Sequence, residues 1–425
     1  SQKTVNVVLD NSKPVIVVNS VSDGQYLNGR YPVLATIEDA LSSTYELSYY
    51  STNGITNVIA AGSRGAFVNE LIGKIDTTGL DGNFTLLLSA TDAVGNTDRK
   101  TVAFSVDNAK PVLDITYPIA GSHCRGQLAI RGRAEDTHFK NYTVSIAKKA
   151  GANVYQTTKT TPVTSGNVLD MVDTQSGSFD DGQYTLSVVL SDLAGNAVTA
   201  SLDFVIDNTA PIMNIHNIAD TMQGPVISLT GAISDNQMIQ RIAISYAVSN
   251  SSAYMPVETI AVNAATLPNF AYNWRVPAGV TNGDYAVRVE AFDKAGNGTS
   301  VSYNVSLDKD APFVAIESPN VGEGSSPLGR FFDVFVSASD RSLASVTLKV
   351  KPDANSDFVT VRTTAGTTYS NEFFARYDAV GRNGEATILL EAVDTAGNKG
   401  SAIGTIHIDT EAPTIALTSP VEGAK

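Results

Sequence analysis

One short phrase, Asp-x-x-Gly-Asn, recurs four times in this chain, starting at Asp92, Asp192, Asp293 and Asp394. Fifteen residues after each opening Asp stands a second one, at Asp107, Asp207, Asp308 and Asp409. Four residues further on comes a proline: Pro111, Pro211, Pro312 and Pro413. A shortened copy, Asp10 to Pro14, opens the chain. A fixed period of about 100 residues is the mark of an array of like domains and excludes one large fold. It points to a structural or adhesive array before it points to an enzyme.

The chain has 425 residues. Length alone allows about two to four domains. The repeat sharpens this to four, each large enough for its own hydrophobic core. The divisions expected are 11–107, 108–207, 208–308 and 309–409, with 1–10 as the last strand of a preceding domain and 410–425 as the start of a following one. No signal peptide opens the chain, and its first residues already read as part of a domain, so the sequence is expected to be an excerpt from a longer protein. The net charge of −14 repels phosphate backbones, which excludes nucleic acid as a partner and favours divalent cations. No apolar run nears the roughly 18 residues of a membrane span, so no direct membrane insertion is expected. The single cysteine, Cys124, rules out an internal disulfide framework. Cores, domain junctions or metal must stabilise the domains instead.

The segment before each second Asp alternates. Val102, Phe104 and Val106 face one way, as do Leu202, Phe204 and Ile206, then Tyr303, Val305 and Leu307, then Gly404, Ile406 and Ile408. Period two over five residues is a half-buried strand. Val5, Val7 and Leu9 repeat the pattern before Asp10. The segment before each Asp-x-x-Gly-Asn alternates too: Phe84, Leu86, Leu88 and Ala90 in the first copy, then Tyr184 to Leu190, Tyr285 to Ala291 and Ala386 to Ala392. Each such run follows a turn pair, Asp81-Gly82, Asp181-Gly182, Asn282-Gly283 or Asn383-Gly384. The two strands flank the repeated phrase and so form a hairpin. No helical period appears, and the sheets are expected to be antiparallel.

About seven short strands per 100 residues reads as a β-sandwich. Tyr184 and Tyr285, just after a turn, match the tyrosine corner of immunoglobulin-like domains; Phe84 lacks the hydroxyl and Ala386 the ring. With "TDAVGN", "SDLAGN", "FDKAGN" and "VDTAGN", and the junctions "VDNAKP", "IDNTAP", "LDKDAP" and "IDTEAP", the whole chain resembles bacterial immunoglobulin-like tandem repeats of large surface adhesins. The resemblance implies an all-β fold of four tandem immunoglobulin-like antiparallel β-sandwiches in an extended rod. It implies a non-catalytic stalk, extracellular or on a bacterial cell surface. Such a monomeric rod would meet a host or environmental surface ligand through regions outside this fragment.

In a sandwich with strands A to G, the entering linker, the B–C loop and the F–G turn share one pole, and each carries an Asp in every repeat. The sets are Asp10, Asp39 and Asp92; Asp107, Asp136 and Asp192; Asp207, Asp235 and Asp293; and Asp308, Asp340 and Asp394. Two carboxylates about 5 Å apart at an effective dielectric of about 20 repel by on the order of 3 kcal/mol. Calcium, which takes six to eight oxygens, would neutralise such a set and stiffen the joint. The resemblance points the same way, since some adhesins of that family carry calcium at such junctions. A second reading stands beside it. Asp at the first place of a turn bonds the backbone two residues on, and Gly supplies a positive φ. The phrase is then a turn network only.

Other candidates are weaker. Phe270, Tyr272 and Trp274 form an alternating strip that would suit a glycan, yet Ile75, Val172 and Tyr377 hold the same place in other copies, as a core strand requires. His123, Cys124 and His138 match no common zinc spacing, and His123 and Cys124 are expected in a solvated A–B loop. No Gly-x-Ser-x-Gly, phosphate loop or His-Glu-x-x-His is present. A catalytic site stands once in a chain, whereas these acids recur in every domain. The alternative function is a glycan- or protein-binding accessory module of a secreted hydrolase or phage fibre, carried by divergent stretches such as "HFKNYTVSIAKKAG" and "FFARYDAVGR".

Overall fold

The computed structural model describes residues 3–5, 9–149, 151–216, 221–416, 418–419 and 423, and every named element in it is a β-strand. The chain divides into two units, Ser1–Thr209 and Ala210–Lys425, each holding two repeats.

In the first unit, repeat one comprises β1 (Val15–Val18), β2 (Gln25–Leu27), β3 (Arg30–Glu38), β4 (Ser43–Ser51), β5 (Thr56–Arg64), β6 (Phe67–Asp76), β7 (Gly82–Thr91) and β8 (Thr97–Val106). A three-stranded sheet, β1-β3-β6, faces a five-stranded one, β2-β8-β7-β4-β5. Repeat two runs through β9 (Val112–Tyr117), β10 (His123–Cys124), β11 (Gln127–Glu135), β12 (Phe139–Lys148), β13 (Asn153–Lys159), β14 (Val163–Asp173), β15 (Gly182–Asp192) and β16 (Ala197–Ile206). Its sheets, β14-β11-β9 and β10-β16-β15-β12-β13, repeat the first arrangement.

In the second unit, repeat three has β17 (Ile212–His216), β18 (Thr221–Gln223), β19 (Val226–Val248), β20 (Met255–Arg275), β21 (Gly283–Asp293) and β22 (Gly298–Leu307). Here the expected short strands B and C fuse into β19, and D and E into β20. The register of β19 breaks between Ser234 and Ile239, so the B–C corner survives as an irregularity inside one long strand. Repeat four has β23 (Phe313–Ser318), β24 (Phe331–Ser339), β25 (Leu343–Lys351), β26 (Val359–Ala365), β27 (Tyr369–Asp378), β28 (Gly384–Asp394) and β29 (Lys399–Ile408). Its sheets are β23-β24-β27 and β26-β25-β28-β29.

Each repeat owns a core, and the period-two sets fill it. Leu86, Leu88, Leu186, Val188, Leu190, Val287, Val289, Ile388 and Leu390 are fully buried, each aliphatic side chain contributing roughly 1.5–3 kcal/mol. The hairpins form in the expected register, with Thr91 opposite Thr97 and Phe84 opposite Phe104. The tyrosine corners are present: Tyr184 donates its hydroxyl to the Asp180 carbonyl at 2.8 Å, and Tyr285 to that of Thr281 at 2.8 Å. Trp274 is buried against Tyr246, with ring centroids 4.8 Å apart, and Phe270 is buried beside it. The aromatic strip is core.

Two expectations are corrected. The sheets are not wholly antiparallel, because β2 pairs with β8, β10 with β16 and β18 with β22 in parallel. The A-strand region switches sheets part-way and lays a short second segment along the last strand, running with it. For the same reason His123 and Cys124 are not in a solvated loop. They are that short strand in repeat two, and Cys124 is a buried free thiol at 3 % exposure. The strand expected over 1–10 falls partly on residues outside those described; Val5 and Leu9 are exposed.

Candidate functional site

The site grows from the turn between the last two strands of each repeat. The glycine of the phrase has φ of 99° at Gly95, 94° at Gly195, 89° at Gly296 and 87° at Gly397, a region that other residues enter at a cost. This brings the following Asn back over the Asp. Asp92 Oδ1 accepts the Asn96 amide at 2.8 Å, and its Oδ2 accepts Asn96 Nδ2 at 2.8 Å. The same pair of bonds joins Asn196 to Asp192, Asn297 to Asp293 and Asn398 to Asp394. Burial works to raise the pKa of Asp92, but hydrogen bonds from the Asn96 side chain and from the Asn96, Val94 and Gly95 amides outweigh it. They hold the carboxyl below the usual carboxylate range.

The asparagine has a second task that the acid pattern did not reveal. Its other Nδ2 hydrogen reaches the carbonyl of the linker Asp: Asn96 to Asp10 at 3.1 Å, Asn196 to Asp107 at 2.9 Å and Asn398 to Asp308 at 2.9 Å. The preceding repeat grips the same residue from behind. The Asp107 amide donates to the Leu27 carbonyl at 3.1 Å, and that of Asp308 to Gln223 at 2.9 Å. The Asn108 side chain adds bonds to the carbonyls of Thr77 at 2.8 Å and Leu80 at 3.1 Å. Before the fourth repeat, Asn282 Nδ2 donates to Asp308 Oδ1 at 3.2 Å and to Asp310 Oδ2 at 2.9 Å. Direct contact completes the first-to-second joint, where Asn28 Nδ2 donates to Asn196 Oδ1 at 2.7 Å and the rings of Tyr26 and His138 lie 4.5 Å apart.

The other two acids of each set make turns of their own. Oδ1 of Asp39, Asp136, Asp235 and Asp340 accepts the amide two residues on, from Leu41, His138, Gln237 and Ser342, at 2.6 to 2.8 Å. Oδ1 of the linker acids Asp10, Asp107, Asp207 and Asp308 accepts from Ser12, Ala109, Thr209 and Asp310 in the same way. The turn network is thus real: it engages one oxygen of each linker and B–C carboxylate and both oxygens of each F–G carboxylate.

Some of these carboxylates also stand close to one another. Asp10, Asp39 and Asp92 bring ligand atoms within 4.8 Å of one another, and so do Asp308, Asp340 and Asp394. At the second joint the trio so gathered is Asp107, Asp136 and His138. Asp192, expected in that place, is fully buried and tied to the linker through Asn196. His138 Nδ1 stands 2.7 Å from Asp107 Oδ2. Asp207 lies in the first unit, and Asp235 and Asp293 lie in the second. Asp207 and Asp293 are fully buried, and the Asp235 Oδ2 atom is buried with no hydrogen-bond partner among the described residues.

Residues 120–208 and 212–309 match a model of the bacterial Ig-like domain, and residues 268–407 match one of the bacterial Ig-like domain, group 3. No curated protein matches the chain at a significant level. Among solved structures, a tetra-tandem repeat in the extending region of a large adhesion protein is 18% identical, with a TM-score of 0.28, covering 93% of this chain and 99% of that one. The native form of E. coli alpha-2-macroglobulin is 11% identical, with a TM-score of 0.22, covering 95% of this chain and 32% of that one. The two domain models together span more than half of the sequence, and the chain belongs to the bacterial immunoglobulin-like domains.

Proposed function

We propose that this chain is a non-catalytic stalk of a large bacterial cell-surface or secreted adhesin, an extended monomeric rod whose joints are stiffened by calcium. The observation that carries the reading is the asparagine clamp. In each unit one linker residue is bonded at its amide by the repeat before it and at its carbonyl by the repeat after it. A linker held at both ends resists bending, and the following proline fixes φ where strand A begins. Repeat architecture adds a second support, because each sandwich needs contact with neighbours only.

Calcium suits the donor set. It is bound by carboxylate oxygens at about 2.3–2.6 Å and accepts six to eight of them. Asp10, Asp39 and Asp92 would hold it at the first joint, and Asp308, Asp340 and Asp394 at the fourth. Of the set expected at the second joint, Asp107, Asp136 and Asp192, the first two are gathered with His138, and in the second unit the third repeat offers Asp235 and Asp293. The orphaned Asp235 Oδ2 is a buried oxygen in want of a partner, at an energetic cost that a cation would relieve.

Small-angle scattering of the full chain tests the stalk. Four domains of roughly 40 Å each give a rod on the order of 160 Å long, with a radius of gyration of about 45 Å. A compact chain of this length has a radius near about 22 Å, and that value would sink the reading. The accessory-module alternative has one observation in its favour: Phe331 and Phe373 are exposed on repeat four, and Phe373 packs edge-on to Phe335 at 6.0 Å.

A further inference from the structure

We infer that the joint between the first and second repeats takes a transition-metal dication of the zinc class, where the all-carboxylate joints are built for calcium. The inference rests on reading the acidic joints as cation sites, and its test separates the two.

The residue two places after each B–C Asp is Leu41, His138, Gln237 or Ser342. In all four repeats its amide closes the same turn on that Asp, so its side chain leaves the backbone at the equivalent point of each repeat. Among these four only His138 supplies an aromatic nitrogen. A ring nitrogen of His138, a carboxylate oxygen of Asp136 and one of Asp107 lie within 4.8 Å of one another. The Asp107 side chain is 5% exposed and that of His138 is 34% exposed, which leaves the group reachable from solvent on the histidine side.

The ring is already placed. Its amide bonds Asp136 Oδ1 at 2.6 Å, its carbonyl accepts the Leu193 amide at 2.8 Å, and Tyr26 of the preceding repeat packs on the ring. Calcium is held by oxygens alone, whereas one imidazole and two carboxylates with a remaining open position form a ligand set that zinc, cobalt and nickel accept. Tetrahedral bonds of about 2.0–2.2 Å hold donors about 3.3 Å apart. The 2.7 Å contact between Nδ1 and Asp107 Oδ2 therefore opens by somewhat more than half an ångström on binding. Two carboxylates neutralise the dication. Because Asp107 belongs to the linker and the other two ligands to the second repeat, the metal would lock the same joint that Asn196 clamps.

The test is titration of the full chain with Zn²⁺ by calorimetry, and with Co²⁺ by visible absorption, for the parent and for His138→Gln and Asp136→Asn. One equivalent should bind the parent, and His138→Gln should weaken it at least tenfold while leaving any calcium-induced rise in melting temperature at the other joints in place. X-ray absorption of the zinc-loaded parent should show one imidazole nitrogen with oxygens, a readout that needs no variant to fold. Zinc binding untouched by His138→Gln, absence of zinc binding, or a zinc shell without imidazole would each overturn the proposal. A calcium response alongside any of these would leave the calcium reading standing, and a zinc response without one would remove calcium alone.

Discussion

The residue that does most at these joints is the asparagine that closes the repeated phrase. Asn196 donates to Asp192 and to the Asp107 carbonyl and accepts from Asn28, so one amide side chain joins a turn, a linker and the neighbouring repeat. Its repetition was visible in the sequence, but a turn explains an Asn at that place equally well. Only the fold shows that its second hydrogen points at the linker carbonyl. Asn196→Ala strips these bonds and leaves buried carbonyl and carboxylate oxygens short of donors, a loss of about 1–3 kcal/mol. Hydrogen exchange of the amides around Asp192 should then quicken by about 10–100-fold, with the core amides of β15 less affected. His138 is out of reach for a different reason: its spacing to Cys124 matches no metal pattern, and its neighbour Asp107 in the fold stands 31 residues away in sequence.

At the scale of elements, the strands that carry strict period two were legible, and those that change sheets were not. β7 and β15, with their Leu and Val faces, stand in the register that alternation implies. The short parallel strands β2, β10 and β18 hold three residues or fewer, too few for a period to show. In repeat three, the corner at Asp235 keeps enough strand character for β19 to run through it. Close approach of backbones is another property that patterning hides. A Cβ built on Gly132 would lie 2.0 Å from the Asp114 carbonyl oxygen, and one on Gly231 would lie 2.1 Å from that of Asn214. Strand β11 thus presses on β9 where only glycine fits. Gly132→Ala should cost about 1–3 kcal/mol through overpacking and lower the melting of repeat two, read by calorimetry. Gly177→Ala, which meets nothing within 4 Å, serves as the control and should leave melting unchanged.

At the scale of the whole molecule, the repeat and its acids are both properties of spacing, and each repeat has a hydrophobic core of its own. What spacing leaves open is how each carboxylate divides its oxygens. In every repeat Oδ1 of the linker and B–C acids closes a turn, so the turn network is compatible with the cation we propose on the remaining oxygens. If calcium neutralises the remaining oxygens, its binding must appear as stability, since a cation that binds the folded joint alone shifts unfolding by mass action. The most direct measurement is calorimetric melting of the full chain in calcium and in EDTA. Each 100-fold excess of free calcium over its dissociation constant adds about 2.7 kcal/mol per site, so the account predicts melting several degrees higher in calcium. Superimposable curves in the two buffers would contradict it.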